Sequence, residues 1–368
     1  MNGKIHISEH RIQPRPGAVE ERHLLLRVTD PSLSFDEQLA ALAAAYTAAT
    51  DGTDVLLRRF FLSDAANQTA AVDAAFAGLP ACATSLVQQP PLDGTKIAAW
   101  IWCARGFEIR GATASHNGYT HHWIGRLHAS GADSEIQMGT IFRDYESTLA
   151  RQGMSVAGEC MRTWIFVRDV DTNYAGVVKG RRDYFDTIGL TPRTRFIAST
   201  GIQGAFADPA TRVGMDAYAV GGLIPGQVRF LHAYDHLSPT AVYGVTFERG
   251  TAVRYGDRSH VFISGTASID AAGKVLHPGD PVRQSGRLVE NVSALLAEAD
   301  AGLDDVQMAL VYLRDTADYA RVKAWFETHH PALHPLYLLA PVCRPAWLVE
   351  MECMAVRPLS GGNDYPDL

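Results

Sequence analysis

Two acidic residues near the carboxyl end of the chain have a spacing that suits proton-transfer chemistry. Glu350 and Glu352 lie in the run VEMECMAV (349–356), whose alternation is typical of a β-strand that turns both acids to the same side. Apolar neighbours and a second carboxylate two residues away would both raise the pKa of Glu350, which would suit a general acid near neutral pH. The pattern alone also allows a half-exposed strand with both acids in water, because glutamate is seldom buried.

The strand that contains Glu350 closes a pattern that occurs three times. Hydrophobic strands ending in aspartate occur at 60–64, 166–169 and 312–315, and each is followed by a helix pattern and a closing strand. The aspartate that ends the strand of the third repeat, Asp315, or a Ser or Thr beside it, should cap the next helix. An internal repeat fixes the architecture. The repeat predicts a degenerate unit at 1–105, a second unit at 106–225 and a C-terminal unit at 226–368 that contains the acid.

Each predicted unit has one face of strands and one of helices, so the strand faces can be buried together. We therefore expect an α+β fold in which three units form a pseudo-trimer with inner sheets and outer helices. Such a chain imitates a homotrimer within one polypeptide and should be a monomer. One obvious strand (23–30) precedes the helix of the first unit. The final residues, SGGNDYPDL, look like a solvated tail.

The repeat also helps to identify candidate catalytic residues, because a residue that differs from its counterparts in the other units is a better candidate than one that is retained. Glu352 corresponds to Asp216 of the second unit, whereas Glu350 corresponds to Gly214 there and to a small or apolar position in KIAAW (96–100). An acid that occurs once in a repeated strand suggests that one cleft of three is chemically active. We expect that cleft where the third unit meets a neighbour, most simply the second unit.

Bulk properties exclude several function classes. The net charge of −7 disfavours nucleic acid as a partner. No apolar run reaches the roughly 18 residues that cross a membrane, and the N-terminal residues have no signal-peptide core. The five cysteines are scattered without a CxxC pair, so a cytoplasmic protein is the simplest interpretation.

No metal or cofactor is expected. His121-His122 and His329-His330 are adjacent pairs, and neighbours on a strand point to opposite faces, which makes a poor chelate. Glycine-rich nucleotide motifs are missing from the sequence.

Residues 226–368 resemble the RidA/YjgF family of reactive-intermediate deaminases. The resemblance rests on YGDRSHVFISGTASID (255–270) and on APVCRPAWLVEMECMAV (340–356), with Ser264-Gly265-Thr266, Arg344 and the acidic strand at the family's positions. It implies RidA/YjgF-like (chorismate-mutase-like) units and sites in the clefts between them. Together with the long chain, the motifs GTASID and CRPAWLVEMEC resemble the chorismatases more closely, over most of 95–358, and specifically the 3-hydroxybenzoate synthase branch.

This resemblance implies a function and a set of residues. Chorismatases cleave the enolpyruvyl ether of chorismate without a cofactor, and the implied products are 3-hydroxybenzoate and pyruvate. Glu350 matches the family's acid and would protonate the enolpyruvyl methylene. Cys343 and Gly256 match the pair that marks the aromatising branch. The alternatives are an ordinary buried cysteine and a turn glycine.

Chorismate is a dicarboxylate, so at least one arginine should bind a carboxylate of the substrate with paired hydrogen bonds. Arg344 is the best candidate, Arg195 is its counterpart in the second unit, and Arg162 precedes a buried-looking strand; each could equally be a surface residue. Tyr255 could line the pocket or belong to the core. Three rival functions stay open: hydrolysis of chorismate to a dihydroxycyclohexadiene carboxylate, a RidA-like imine deaminase, and a non-catalytic ligand-binding protein.

Overall fold

The computed structural model describes residues 4–12, 15–360 and 365–368, which form three sheets flanked by helices. The first unit consists of β1 (Ile5–Ile12), β2 (Glu20–Val28), α1 (Phe35–Thr50), β3 (Asp54–Leu62), α2 (Ala65–Phe76), β4 (Ala83–Gln88) and β5 (Ile97–Arg105). The second consists of β6 (Glu108–Arg110), β7 (Thr113–His116), β8 (Tyr119–His128), α3 (Ser134–Ala150), α4 (Val156–Glu159), β9 (Cys160–Val167), α5 (Val170–Thr187), β10 (Ala198–Gln203) and β11 (Val213–Gly221). The third consists of β12 (Val228–Leu231), β13 (Gly250–Arg254), β14 (Arg258–Ala267), α6 (Pro281–Glu298), β15 (Val306–Leu313), α7 (Tyr319–His329), β16 (Leu336–Leu339) and β17 (Val349–Pro358), with 3-10 turns at Thr240–Tyr243, Leu303–Asp305 and Thr316–Asp318.

The three sheets have the same strand order. It is β1-β2-β5-β3-β4 in the first unit, β6-β7-β8-β11-β9-β10 in the second and β12-β13-β14-β17-β15-β16 in the third. The repeat of RidA-like α+β units is therefore confirmed. The sheets fall within 1–105, 106–225 and 226–368, although the division into domains stays a prediction.

Several strands were not predicted from the sequence, and β1, β4, β10 and β16 are the ones that extend the repeated pattern. β4, β10 and β16 each pair in parallel with the strand before the second helix of their unit, and none of them was predicted. They are short apolar runs, and periodicity alone does not distinguish such runs from helix or loop. β1 is a second strand before the first helix, where only one was expected.

Asp315 caps the 3-10 turn Thr316–Asp318 that precedes α7, and the equivalent Asp64 caps α2. The Asp64 carboxylate accepts from Asn67 N (3.3 Å), and Asp315 accepts from Ala317 N (2.8 Å). Asp169 of the second unit differs, because it has a left-handed backbone (φ 47°) and makes no capping bond within the described chain. The side chain of Gln203 accepts from Val170 N instead (2.7 Å).

The largest apolar core lies where the sheets face one another. It joins aromatic rings of all three units, with Trp102 5.3 Å from Trp123 and 6.3 Å from Phe262 between ring centroids. Buried ion pairs cross the junctions: Arg59 Nη2 lies 2.8 Å from Asp216, and Arg162 Nη2 lies 2.7 Å from Glu352. The inner faces of the sheets are thus held in register by apolar packing and by paired charges.

The final residues are not a solvated tail where the structure describes them. Leu368 is 1% exposed and joins the central core. Its amide donates to Asp257 Oδ1 (2.9 Å), and its carbonyl accepts from Val19 N (2.6 Å). Residues 361–364 of the predicted tail lie outside the described residues. Among the helices of the described ranges, none has the length and apolar character that crossing a bilayer requires.

Candidate active site

Glu350 lies in the middle of the third sheet and faces a cavity. β17 places it opposite Tyr312 of β15 and Ala267 of β14. Glu350 is buried, with only 4% of the residue exposed to solvent. Burial, and next the charge of Glu352, raise its pKa to about 8, against the opposing effects of Arg249 and Arg162. A carboxyl group in this setting keeps its proton at neutral pH.

The second acid of the strand has a different environment. Glu352 accepts a hydrogen bond from Arg162 Nη2 at 2.7 Å, and the same nitrogen donates to the Thr200 hydroxyl at 2.5 Å. Thr200 in turn accepts from Gly265 N (2.9 Å). The guanidinium of Arg162 therefore forms its hydrogen bonds behind the cavity wall, where its positive charge is paired with the carboxylate of Glu352. Arg162 is not among the residues that line the cavity.

The cavity lies between the second and third units. Its lining from the second unit is Tyr174, Arg181, Ser199 and Gly201, and from the third unit Val245, Phe247, Arg249, Gly265, Ala267, Ile269, Cys343, Arg344, Trp347 and Glu350. Three guanidinium groups thus face one buried acid across an apolar interior. With Glu350 protonated, the described lining is strongly positive.

Arg181 is the most deeply buried of these cations. It comes from α5 and is 2% exposed. Its Nε donates to Thr246 Oγ1 (2.9 Å) and its Nη1 to Ser199 Oγ (3.3 Å). Burial lowers its pKa, and its neighbours Tyr174 and Cys343 are neutral at pH 7, because burial raises the pKa of each. No carboxylate of the described chain forms an ion pair with Arg181, so an anion entering the cavity would supply the missing charge.

Cys343 and Arg344 lie in the loop before β17, as the sequence suggested for unit three. Burial and then the neighbouring Glu350 raise the pKa of the Cys343 thiol to about 12. Tyr174, from the second unit, lies close enough to influence the pKa of Cys343 across the junction. Arg344 stacks over Trp347, with the guanidinium carbon 5.6 Å from the ring centroid. Cys343 is therefore a neutral thiol at the cavity wall, unsuited to act as a thiolate nucleophile.

Three predicted residues lie elsewhere. β14 pairs Ala267 with Glu350 at one end and Arg258 with Pro358 at the other, which is a distance of about 30 Å along the strand. Gly256 precedes that far end, where a Cβ would press on the 365–368 segment, 3.0 Å from Asp367 N.

Tyr255 and Arg195 are likewise outside the cavity. Tyr255 is buried in an aromatic cluster, 5.0 Å from Tyr119 and 5.2 Å from His260 between ring centroids. The guanidinium of Arg195 lies over Phe230 (4.9 Å) and donates to the carbonyl of Gly158 (3.2 Å). Contact with a ligand beside Glu350 is therefore not available to them or to Gly256.

The sequence contained signals for some residues that were missed. Tyr174, Val177 and Arg181 have helical spacing, so the arginine lies on the buried face of α5, where Val177 is 1% exposed. Gly265 belongs to a motif of the family resemblance, but nothing in the sequence places it beside the acid. A Cβ there would lie 2.8 Å from Glu350 Cδ and 3.0 Å from Thr200 Cγ2, so a glycine is needed beside the acid.

The histidine pairs have structural partners. His121 Nδ1 lies 2.7 Å from the Tyr218 hydroxyl, whereas His122 faces Tyr145 on the other side of the sheet. His329 Nδ1 lies 2.8 Å from the Trp325 carbonyl. Within the described ranges, no cluster of His, Cys, Asp or Glu has the arrangement of a metal site.

Comparison with known proteins assigns the third unit. Residues 250–357 match the family model described as Endoribonuclease L-PSP. A RutC family protein of Pyrococcus abyssi is 32% identical over 108 residues, which is 29% of this chain and 84% of that protein. The chain belongs to the RutC family. Another relative is the 3-aminoacrylate deaminase RutC of Acinetobacter baylyi, 29% identical over 26% of this chain and 77% of that protein.

The RutC family match covers one unit, whereas a structural likeness covers all three. The crystal structure of a chorismatase has a TM-score of 0.66 to this chain at 18% identity, covering 92% of this chain and 99% of that one. At this identity the likeness shows the fold alone: RutC-type units in a chorismatase-like chain of three.

Proposed function

We propose that this protein is a chorismatase of the 3-hydroxybenzoate type, which converts chorismate into 3-hydroxybenzoate and pyruvate. The observation that supports this most is Glu350, a buried acid with a pKa near 8 in a cavity lined by arginines. An enol ether is cleaved after protonation of its terminal carbon, and that step needs a carboxylic acid that keeps its proton at neutral pH.

The charge of the cavity supports a dianionic substrate. Arg181, Arg249 and Arg344 line it, and Glu350 is neutral below about pH 8. Guanidinium groups bind carboxylates with paired, charge-assisted hydrogen bonds. Chorismate has two carboxylates separated by a ring, and the apolar side chains of Phe247, Ile269 and Trp347 would pack against that ring.

The first step transfers the Glu350 proton to the enolpyruvyl methylene carbon. The carbon–carbon double bond supplies the electron pair, so a methyl group forms next to an oxocarbenium ion, and Glu350 becomes a carboxylate. Arg249 and Arg162 both favour the charged form of Glu350, and they would stabilise this state.

In the second step the neighbouring ring hydroxyl oxygen bonds to the ring carbon that bears the ether. The carbon–oxygen ether bond breaks, its electrons quench the oxocarbenium ion, and pyruvate is released. The hydroxyl proton returns to Glu350. The epoxide-like product then opens to the phenol as a ring proton is lost and the oxygen gains one, so no water is consumed. The Cys343 thiol would hydrogen-bond this oxygen while it moves.

Product analysis tests the proposal. The purified protein is incubated with chorismate, pyruvate is measured with a coupled dehydrogenase, and the ring product is identified by chromatography and mass. We expect equal amounts of pyruvate and 3-hydroxybenzoate. A dihydroxycyclohexadiene carboxylate, heavier by one water, would mean hydrolysis at the same acid, and absence of pyruvate would exclude both reactions.

A second candidate is an imine or enamine deaminase, favoured by the likeness of the third unit to a 3-aminoacrylate deaminase. An enamine is also protonated on carbon, so Glu350 could act in the same way. The three arginines of the cavity exceed the needs of a substrate with one carboxylate. Ammonia release from 3-aminoacrylate without pyruvate release from chorismate would support this alternative.

A further inference from the structure

The three unit junctions are built alike, so three clefts can be compared position by position. Glu350 pairs with Tyr312, Gly214 with Phe166 and Ala98 with Phe61. At each junction, an edge strand of one unit (β10, β16 or β4) forms a backbone hydrogen bond to the loop before the closing strand of the next unit. The bonds are Gln203 N to Pro341 O (3.1 Å), Leu339 N to Pro90 O (2.8 Å) and Gln88 N to Ala205 O (2.8 Å).

The cleft between the first and second units is closed. Gly214 stands at the position of Glu350, and a Cβ there would overlap the ring of Phe206. Arg126 and Asp73 make two parallel hydrogen bonds of 3.1 Å across the same junction. An aromatic side chain and a bidentate ion pair therefore occupy the space that a ligand would take.

The cleft between the third and first units is open. It is lined on one side by Tyr319, Phe326 and Tyr337 and on the other by Arg27. Ala98 replaces the catalytic acid at this junction. Arg27 is paired with Ala98 as Ala267 is paired with Glu350. Compared with the cleft that contains Glu350, this cleft therefore has an alanine at the position of the acid and an arginine at the position of Ala267.

Arg27 is suited to an anion. Its Nη2 donates to the His334 carbonyl, and its Nε is buried without a hydrogen-bond partner in the described chain. Asp93, also in the lining, does not form an ion pair with it and accepts instead from Thr95 Oγ1 (2.6 Å) and Thr95 N (3.1 Å). Burial lowers the pKa of Arg27, and the nearby charge of Asp93 opposes this shift only in part.

The opposite wall is aromatic. The Tyr337 ring lies 5.6 Å from Tyr319 and 6.0 Å from Phe326 between centroids, edge to face in both cases. Lys323 at this wall is paired with Glu327 (2.7 Å), whereas Arg27 forms no ion pair with a carboxylate of the described chain. A flat ring with one carboxylate would satisfy both walls.

We propose that the cleft between the third and first units is a second, non-catalytic binding site for a small aromatic carboxylate. Arg27 binds the carboxylate, and the rings of Tyr319, Phe326 and Tyr337 enclose the aromatic part. The site does not depend on the reaction proposed for the other cleft, because it contains no acid at the position of Glu350.

Crystals of the whole protein soaked with 4-bromobenzoate test this directly, because the anomalous signal of bromine locates each bound molecule. We expect a peak between Arg27 and Tyr337 and none at the junction closed by Phe206. In solution, calorimetry with the same probe should show that Arg27→Met weakens binding at this site by about tenfold or more. Arg27→Lys should recover part of the affinity.

Turnover, circular dichroism and substitute variants distinguish a loss of binding at the second cleft from a loss of folding or of activity. Arg27→Met should change turnover at the Glu350 cleft less than about twofold, and circular dichroism should show an unchanged fold. If Arg27→Met does not fold, Arg27→Gln and Tyr337→Leu replace it. Bromobenzoate found only in the Glu350 cleft, or affinity at the second cleft unaffected by the Arg27 variants, would overturn the proposal.

Discussion

Glu350 differs from the other buried acids of the described chain in what surrounds its carboxyl group. Asp216 and Glu352 are each paired with an arginine, and Glu21 contacts Arg258 and His260. Glu350 forms neither an ion pair nor a side-chain hydrogen bond with any described residue. The protein therefore neutralises this acid by keeping its proton, which is the state a general acid requires.

The charge of Glu352 should be visible in the pH profile. Because the rate needs protonated Glu350, kcat/KM should fall above about pH 8. Glu352→Gln removes a negative charge that raises the pKa of Glu350 and leaves Arg162 unbalanced, and both effects lower that pKa. We expect the descending limb to move to lower pH. Asp216→Asn, at the equivalent position of the second unit, is the control, and an unmoved limb in Glu352→Gln would contradict the assignment.

The same acid should destabilise the folded protein at high pH. Its pKa of about 8 lies above the ordinary value of 4.5, so its favourable contribution is complete below about pH 4.5 and is lost as the pH rises through 8. Glu350→Gln has no charge to bury. Urea unfolding should find the variant more stable than wild type by a few kcal/mol at pH 9 and nearly equal at pH 4. Equal stabilities at both pH values would mean that Glu350 is solvated.

At the scale of elements, the edge strands complete the site. β10 contributes Ser199 and Gly201, and α5 contributes Tyr174 and Arg181. The sequence predicted the strand with the acid and the helix, because their patterns are long or repeated. It did not predict β10, since a six-residue run has no distinctive period. Glu350, Cys343 and Arg344 could be grouped from sequence because they are close in the chain, whereas Arg181 depends on how two units meet.

Gly265 tests how closely β14 must approach the acid. Gly265→Ala would push the Glu350 carboxyl group aside, because its Cβ would lie 2.8 Å from Glu350 Cδ. The carboxyl end of a side chain can move, so the fold should survive while kcat drops by about tenfold or more, as expected for a misplaced general acid.

Gly286→Ala is the matched control for that variant. Gly286 lies in α6, and an added Cβ would meet only Trp325 at an ordinary 3.6 Å. Activity should be unchanged, and the protein should gain about 0.5–1 kcal/mol of stability from the better helix former. Full activity in Gly265→Ala would mean that Glu350 is not confined as described.

At the scale of the molecule, one chain closes three junctions that differ in content. Phe206 fills one, Glu350 faces the second and Arg27 faces the third. The repeat in the sequence predicted this architecture and pointed to a single acid. It could not predict that Gly256 and Tyr255 lie far from Glu350, because that distance follows from the pairing of β14 with β17, two strands that are distant in the chain, rather than from any local pattern. A monomeric state stays a prediction.

The 365–368 segment should stabilise the molecule far from the chemistry. Leu368 is buried against the central core and bonds to both the first and third units. Leu368→Ala should cost about 2 kcal/mol or more in unfolding free energy and leave kcat at 25 °C unchanged. Thermal unfolding and steady-state kinetics measure the two effects. No loss of stability would show that the segment is dispensable.

Pyruvate release from chorismate by wild type and by Glu350→Gln is the measurement that tests the central claim most directly. Glutamine preserves size and shape but cannot donate the proton, and general acids contribute about 10²–10⁴-fold. We therefore predict active wild type and a variant slower by at least about a hundredfold, with Glu108→Gln, an exposed ion-paired acid, as active as wild type. Turnover by Glu350→Gln at the wild-type rate would contradict the account.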